Sequence, residues 1–269
     1  MRGVTIRELD PAGIQAVREA WIEFGLLVFP GQHLTLYEQD EFARCFGALE
    51  FTATALTNMR RDGTLRDPSE TLIKSLRGNE GWHHDSTYLP VQAKGAVFSA
   101  EIIPTEGGAT GFADMRAAYE ALDPATRASI AGLSAHHCRR YSMERSGNHV
   151  PESEAGAYEL YGYHDHEPPL RPLVKVHPET GRPNLLIGQH AFGIPGLSDD
   201  DSVALLDRLN DEACRAPRTF HHDWSVGDAV LWDNRRLMHR ATPHDPRQPR
   251  RMWHSRIAGD AATETATNH

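Results

Sequence analysis

Histidine is over-represented in this chain, with 16 in 269 residues, and imidazole is the commonest metal ligand among side chains. The run with the clearest chemical reading is Trp82-His83-His84-Asp85-Ser86-Thr87. If it is extended, side chains alternate faces, so His83 and Asp85 point one way and His84 the other. Two ligands about seven ångströms apart along a strand, two residues at roughly 3.3 Å each, can close on one ion. A third ligand is His239, which follows an apolar stretch ending in Trp232-Asp233-Asn234. Two imidazoles and one carboxylate on one face leave coordination positions open. That is the facial arrangement of non-haem iron(II) sites, where co-substrate and oxygen enter.

His-x-Asp alone is not specific. His221-His222-Asp223 also carries it, and His164-Asp165-His166 is equally rich in ligand atoms. A solvated loop is the ordinary reading of each. The second His-x-Asp lies close before His239, leaving little chain for a separate strand pairing, whereas the first leaves room for a whole barrel between. Two more features favour it. Glu106-Gly107-Gly108-Ala109-Thr110 is a tight turn delivering a hydroxyl, and Arg250 stands eleven residues after His239. In an extended Pro249-to-Arg256 segment, Arg250, Met252, His254 and Arg256 share a face. A dicarboxylate co-substrate needs a fixed cation, for which arginine offers a bidentate fork. The Thr110 hydroxyl can add a hydrogen bond.

The positioning elements are legible in outline. Asp10-Pro11 caps a helix to Phe24, Gly25 stops it, and residues 26–29 form a short strand. A second amphipathic helix covers 35–46. Residues 52–80 show no clean period and read as a loop able to close over a site, ending near Asn79. Strands are expected at 83–88, 95–103, 173–177, 184–188, 219–224, 228–233 and 250–258, with a hairpin at Glu179-Thr180-Gly181. Helices are expected at 114–132 and 199–214. The acids after Ser198 are read as first-turn charges at a helix N-cap rather than as metal ligands. Many short strands with flanking helices and no βαβ repeat predict a mainly β protein, a jelly roll. The whole chain, 1–269, reads as one domain.

Composition narrows the function. With 39% hydrophobic residues the chain can bury a core without disulfides. Its net charge of −9, well mixed, argues against nucleic-acid or membrane-surface binding. No apolar run is long enough to span a bilayer, and the N-terminus lacks a signal-peptide layout. Cys45, Cys138 and Cys214 are widely separated and are expected to be reduced, buried and inert in a cytoplasmic protein.

Several longer motifs accompany the ligands: Asn79-x-x-Trp-His83-x-Asp85-Ser-Thr, Gly-Ala-Val-Phe-Ser-Ala-Glu101, Gly-Gly-x-Thr110, Phe-Ala-Asp-Met-Arg-Ala-Ala-Tyr119, Leu173-Val-Lys-Val-His-Pro-Glu-Thr-Gly-Arg-Pro and Trp232-Asp-Asn-Arg before His239. Together, from about residue 5 to 260, they resemble the taurine dioxygenase / dichlorophenoxyacetate dioxygenase family, and within it the aryloxyalkanoate branch. The resemblance implies a double-stranded β-helix with iron(II) on His83, Asp85 and His239. It also implies 2-oxoglutarate on Thr110 and Arg250, with O2 as second co-substrate. His222 matches a position outside the metal site. The implied reaction oxidises a small anionic substrate, an aryloxyalkanoate ether cleaved to a phenol and a keto acid, with succinate and CO2 as co-products. An alkylsulfonate is the alternative substrate. A non-enzymatic metal-binding jelly roll or a zinc hydrolase would give Arg250 no role, and chlorination would need the ligand carboxylate missing. Many members carry a substrate-binding arginine where this chain has His254. Arg256, one strand-step on, is therefore expected to grip the substrate anion, with Asn79, Ser86 and His254 beside it. Expected partners are that substrate and further copies of the chain, in a homo-oligomer.

Overall fold

The structure, a computed structural model, describes residues 1–149, 151 and 161–269. Its strands are β1 (Leu26–Phe29), β2 (Leu49–Thr57), β3 (Gly95–Ile102), β4 (Thr110–Asp114), β5 (Ser134–His137), β6 (Leu170–Pro172) and β7 (Val174–Val176). They continue as β8 (Pro183–Leu185), β9 (Ala191–Phe192), β10 (Thr219–His222), β11 (Ala229–Asp233), β12 (Leu237–Ala241) and β13 (Arg251–Ile257). A five-stranded antiparallel sheet has the order β1-β11-β3-β13-β2, and a three-stranded sheet has the order β10-β4-β12. These layers form the jelly roll expected from the sequence.

Strand parity sorts the core. On β3, Val97 faces outward with Ala229, Leu231 and Ile257 onto helices α1 (Pro11–Phe24) and α2 (Leu36–Arg44), which supply Trp21 and Phe42, with Phe46 in the turn after α2. Its neighbours Ala96, Phe98 and Ala100 face inward with Phe112, Val230, Trp232 and Met252. The helices start and stop as their ends dictate. Asp10 accepts from the Gly13 amide, Gly25 closes α1 at φ 77°, and Thr35 with Glu38 forms a capping box on α2. Ser198 likewise accepts from the Asp201 amide at the start of the Asp199–Ala213 helix.

The structure corrects several expectations. Residues 83–88 are not a strand: His83 makes an isolated bridge with His239, and turns follow, with Ser86 at φ 58°. The 52–80 stretch is not a continuous loop. Its first part belongs to β2, which pairs with β13 from Thr57↔Arg251, and Thr71–Arg77 is a helix. The Thr/Ala alternation of β2 has too little apolar contrast to announce a strand, and the partner strand supplies what propensity does not. Residues 114–132 form two helices, broken where Asp123 caps a new start at Pro124. The 173–177 stretch is preceded by a separate strand, β6, and β4, β5, β9 and β12 were not foreseen. The Gly181 hairpin does form, pairing Val174 with Leu185. The three cysteines are free, but Cys45 is exposed and the others are half-buried rather than buried. No helix among the described residues is long and apolar enough to cross a membrane.

Trp21 is fully buried and meets Phe46 edge-on at 5.4 Å. Trp21→Ala should therefore lower the unfolding free energy by about 3–5 kcal/mol in urea titration.

Candidate metal centre

His83 and His239 are locked to each other through both backbone hydrogen bonds of their bridge, 3.0 and 2.8 Å. His83 Nδ1 lies 2.8 Å from the Gly81 carbonyl. A carbonyl only accepts, so Nδ1 carries the hydrogen and Nε2 offers its lone pair. The turn at Asp85 is bracketed by one side chain from the end of β11. Asn234 Oδ1 accepts from the Asp85 amide at 2.7 Å, while its Nδ2 donates to the carbonyls of Asp85 (3.0 Å) and Ala93 (2.9 Å). His84 turns away and donates from Nδ1 to the Asn234 carbonyl. The alternation foreseen from the sequence thus holds, although a bridge and a turn produce it instead of a strand.

The structure brings His83, Asp85 and His239 together: their ligand atoms lie within 4.8 Å of one another, and all three residues are buried. Asp85 Oδ2 is buried with no hydrogen-bond partner and lies 3.6 Å from His239 Nε2. Burial holds both imidazoles below the usual histidine range, so they are neutral and can donate lone pairs. Burial pushes the Asp85 carboxyl up, but the Arg256 guanidinium beside it outweighs burial and keeps the carboxyl well below the usual range. Two neutral imidazoles and an ionised oxygen without a partner fit a divalent cation.

A cavity of about 490 Å³ opens over these ligands. Phe51, Leu56, Ile73, Tyr88 and Met143 make an apolar wall, and Asn79 and His254 also line it. Thr110 and Arg250 line it as well. Trp224 Nε1 donates to Thr110 Oγ1 at 3.0 Å, which leaves the hydroxyl hydrogen to donate elsewhere. Arg250 is anchored by its amide on Asn58 Oδ1 (2.8 Å), and its Nε is buried without a partner. Burial alone moves this guanidinium down to about 10. Gly108, at φ 70°, makes room: a Cβ there would meet Pro104 Cγ at 2.9 Å and Arg250 Nε at 3.4 Å.

The remaining candidates separate. His254 stacks on Trp232 at 5.5 Å and is lowered to about 3 by burial and then by Arg256. Its Nε2 lies 3.6 Å from Asp85 Oδ2. Ser86 does not line the cavity; it is fully buried and donates its hydroxyl to Glu50 at 3.0 Å. Arg256 reaches Asp85 Oδ1 through Nη2 at 2.7 Å. His222 sits against Trp224 and Asp228, away from the ligands, and His164 and His166 are exposed and stacked on each other. Glu50, Tyr161, Trp224 and the bracketing role of Asn234 were not foreseen. Asn234 at least lay in a quoted motif, whereas the others are single residues with no spacing to mark them.

A jelly roll whose interior carries two histidines and one carboxylate beneath an open cavity defines a mononuclear non-haem metal oxygenase. The chain belongs to the taurine catabolism dioxygenase TauD, TfdA family, matched over residues 2–256. It is 58% identical to the (S)-phenoxypropionate/alpha-ketoglutarate-dioxygenase of Sphingobium herbicidovorans, covering 99% of this chain and 93% of that protein. It is 32% identical to the alpha-ketoglutarate-dependent 2,4-dichlorophenoxyacetate dioxygenase of Cupriavidus pinatubonensis, over 96% and 93% of the two chains. The crystal structure of AAD-2 in complex with Mn(II) and N-oxalylglycine superposes with a TM-score of 0.89 at 34% identity, covering 100% of this chain and 95% of that one.

Asn234→Ala strips partners from three buried backbone groups, each of which costs about 1–3 kcal/mol when left unpaired. The variant should lose roughly 3 kcal/mol or more of stability in urea titration; a loss below about 1 kcal/mol would contradict the bracketing role.

Proposed function

We propose that the protein is an iron(II)- and 2-oxoglutarate-dependent dioxygenase that cleaves aryloxyalkanoate ethers. The observation that carries the co-substrate is Arg250, a cation with a buried, unpartnered Nε and, among the described residues, no acidic group paired with it. A buried charge is tolerated when paired, and the far carboxylate of 2-oxoglutarate supplies the pair, with the Thr110 hydroxyl donating beside it. N-oxalylglycine, present with Mn(II) in the AAD-2 crystal, has the same two terminal carboxylates.

His83, Asp85 and His239 hold the metal. Iron(II), when bound there, supplies the redox chemistry by which O2 converts 2-oxoglutarate to succinate and CO2 while hydroxylating a substrate C–H bond. The chain's own residues set the geometry. Arg250 and Thr110 fix one end of the co-substrate, and the neutral imidazoles stay available as ligands. The apolar wall of Phe51, Leu56, Ile73 and Met143 suits an aryl ring and keeps water from the reacting carbon. Hydroxylation of a carbon that bears the ether oxygen gives a hemiketal, which collapses to a phenol and a keto acid. The naming of the Sphingobium herbicidovorans relative supports phenoxypropionates of the S configuration. Free cysteines suit work in the reducing cytoplasm.

Purified protein with iron(II), ascorbate and 2-oxoglutarate should release phenol and succinate in equal amounts from an (S)-phenoxypropionate and far less from its mirror image. Succinate formed only with taurine or an alkylsulfonate would overturn the substrate class. Arg250→Ala should raise the KM for 2-oxoglutarate by about 10- to 100-fold, corresponding to the roughly 1.5–3 kcal/mol of a charged hydrogen bond. The KM for the ether should change little.

A further inference from the structure

Two arginines enter the cavity from one stretch of chain, and their surroundings are opposite. Among the described residues, no carboxylate pairs with Arg250. Arg256, two strand-steps beyond Met252 on the same inward face of β13, lies between two. Its Nη2 donates to Asp85 Oδ1 at 2.7 Å, and its Nη1 donates to Ser86 Oγ (3.1 Å) and Tyr161 Oη (3.3 Å). Glu50 Oε1 is 3.7 Å from Nη1 and accepts hydrogen bonds from both Ser86 and Tyr161. The guanidinium also lies over the Phe51 ring, 4.7 Å from its centroid. Both terminal nitrogens of this fork are taken up by protein, and only the buried Nε is without a partner among the described residues. A substrate anion approaching the fork would have to displace or face Asp85 and Glu50, which already meet both of its terminal nitrogens.

The expectation that Arg256 grips the substrate anion does not suit this arrangement. We propose instead that Arg256 is a positioning residue for the metal carboxylate. By holding Asp85 Oδ1 it turns Oδ2 towards the two imidazoles and keeps the second oxygen off the metal, while Ser86, Tyr161 and Glu50 hold the guanidinium. A carboxylate that gave both oxygens to the ion would occupy one of the positions that co-substrate and oxygen need. The left-handed backbone of Ser86, uncommon outside glycine, fits the same design, because it brings the Ser86 hydroxyl against both Glu50 and Arg256. Two effects of the guanidinium on the metal oppose each other. Its charge disfavours a nearby cation, while its hold on Asp85 Oδ1 orients the ligand, with orientation the larger effect in the proposal. Removal of outer partners of metal ligands typically weakens metal binding by about 10- to 100-fold.

The inference rests on reading His83, Asp85 and His239 as the metal centre, and the experiment separates the two. Mn(II) binding is followed by the electron paramagnetic resonance of the free ion, without 2-oxoglutarate or substrate, for wild type, Arg256→Gln and Arg256→Lys. Wild type should bind Mn(II), and Arg256→Gln should bind about tenfold more weakly or worse. Lysine keeps the charge but cannot reach Asp85 and the Ser86–Tyr161 side together, so Arg256→Lys should fall between and can decide alone if the glutamine variant does not fold. In steady state both variants should lose kcat and substrate-independent consumption of 2-oxoglutarate, with little change in substrate KM. Affinities within about twofold of wild type overturn the proposal, and a tenfold rise in substrate KM beside them would return Arg256 to the substrate. A wild-type protein that binds no Mn(II) would instead remove the metal centre itself.

Discussion

A carboxylate buried to 5% exposure is the constraint around which this protein is arranged. Isolated in an apolar interior, the Asp85 anion would be strongly disfavoured and would take up a proton. Here its backbone is bracketed by Asn234, one oxygen is met by Arg256, and the other is left facing imidazoles that burial keeps neutral. Those choices conserve negative charge at one point and withhold a partner from it. The result is a place that a divalent cation completes.

The jelly roll explains how so few strands assemble so many parts. The inward face of β13 carries Met252, His254 and Arg256, with Arg250 just before it, so one stretch of chain supplies Arg250 and His254 to the cavity lining and Arg256 to the Asp85 carboxylate. β12 supplies His239, and its bridge to His83 ties the two imidazoles together through the backbone. The end of β11 supplies Asn234. In the proposed reading the difference between the two arginines is functional. A cation lacking a counter-ion is a place for a ligand to bind, whereas one already between carboxylates holds structure in place.

Much of this was legible in the residues, for reasons that can be named. The ligand trio could be read because alternation, the long interval to His239 and the joint presence of Thr110 and Arg250 each constrain the others. The inward face shared by Met252, His254 and Arg256 followed from strand period alone. What sequence did not show were contacts between single residues far apart in the chain: Tyr161 meets Glu50 and Trp224 meets Thr110 with no spacing to connect them. The strand from Leu49 was hidden by its alternating Thr and Ala, since its pairing with β13 comes from tertiary context. The role expected for Arg256 followed a position in the sequence, whereas its charge environment comes from Glu50 and Asp85, which only the fold places beside it.

In the proposed reaction two organic molecules consume one O2 jointly at the His83, Asp85 and His239 centre. The most direct test is turnover under isotopically heavy oxygen gas, with the succinate analysed by mass spectrometry. Each succinate formed should carry one heavy oxygen atom, in step with ether cleavage. Succinate carrying only oxygen from water, or ether cleavage without succinate, would contradict the proposed reaction.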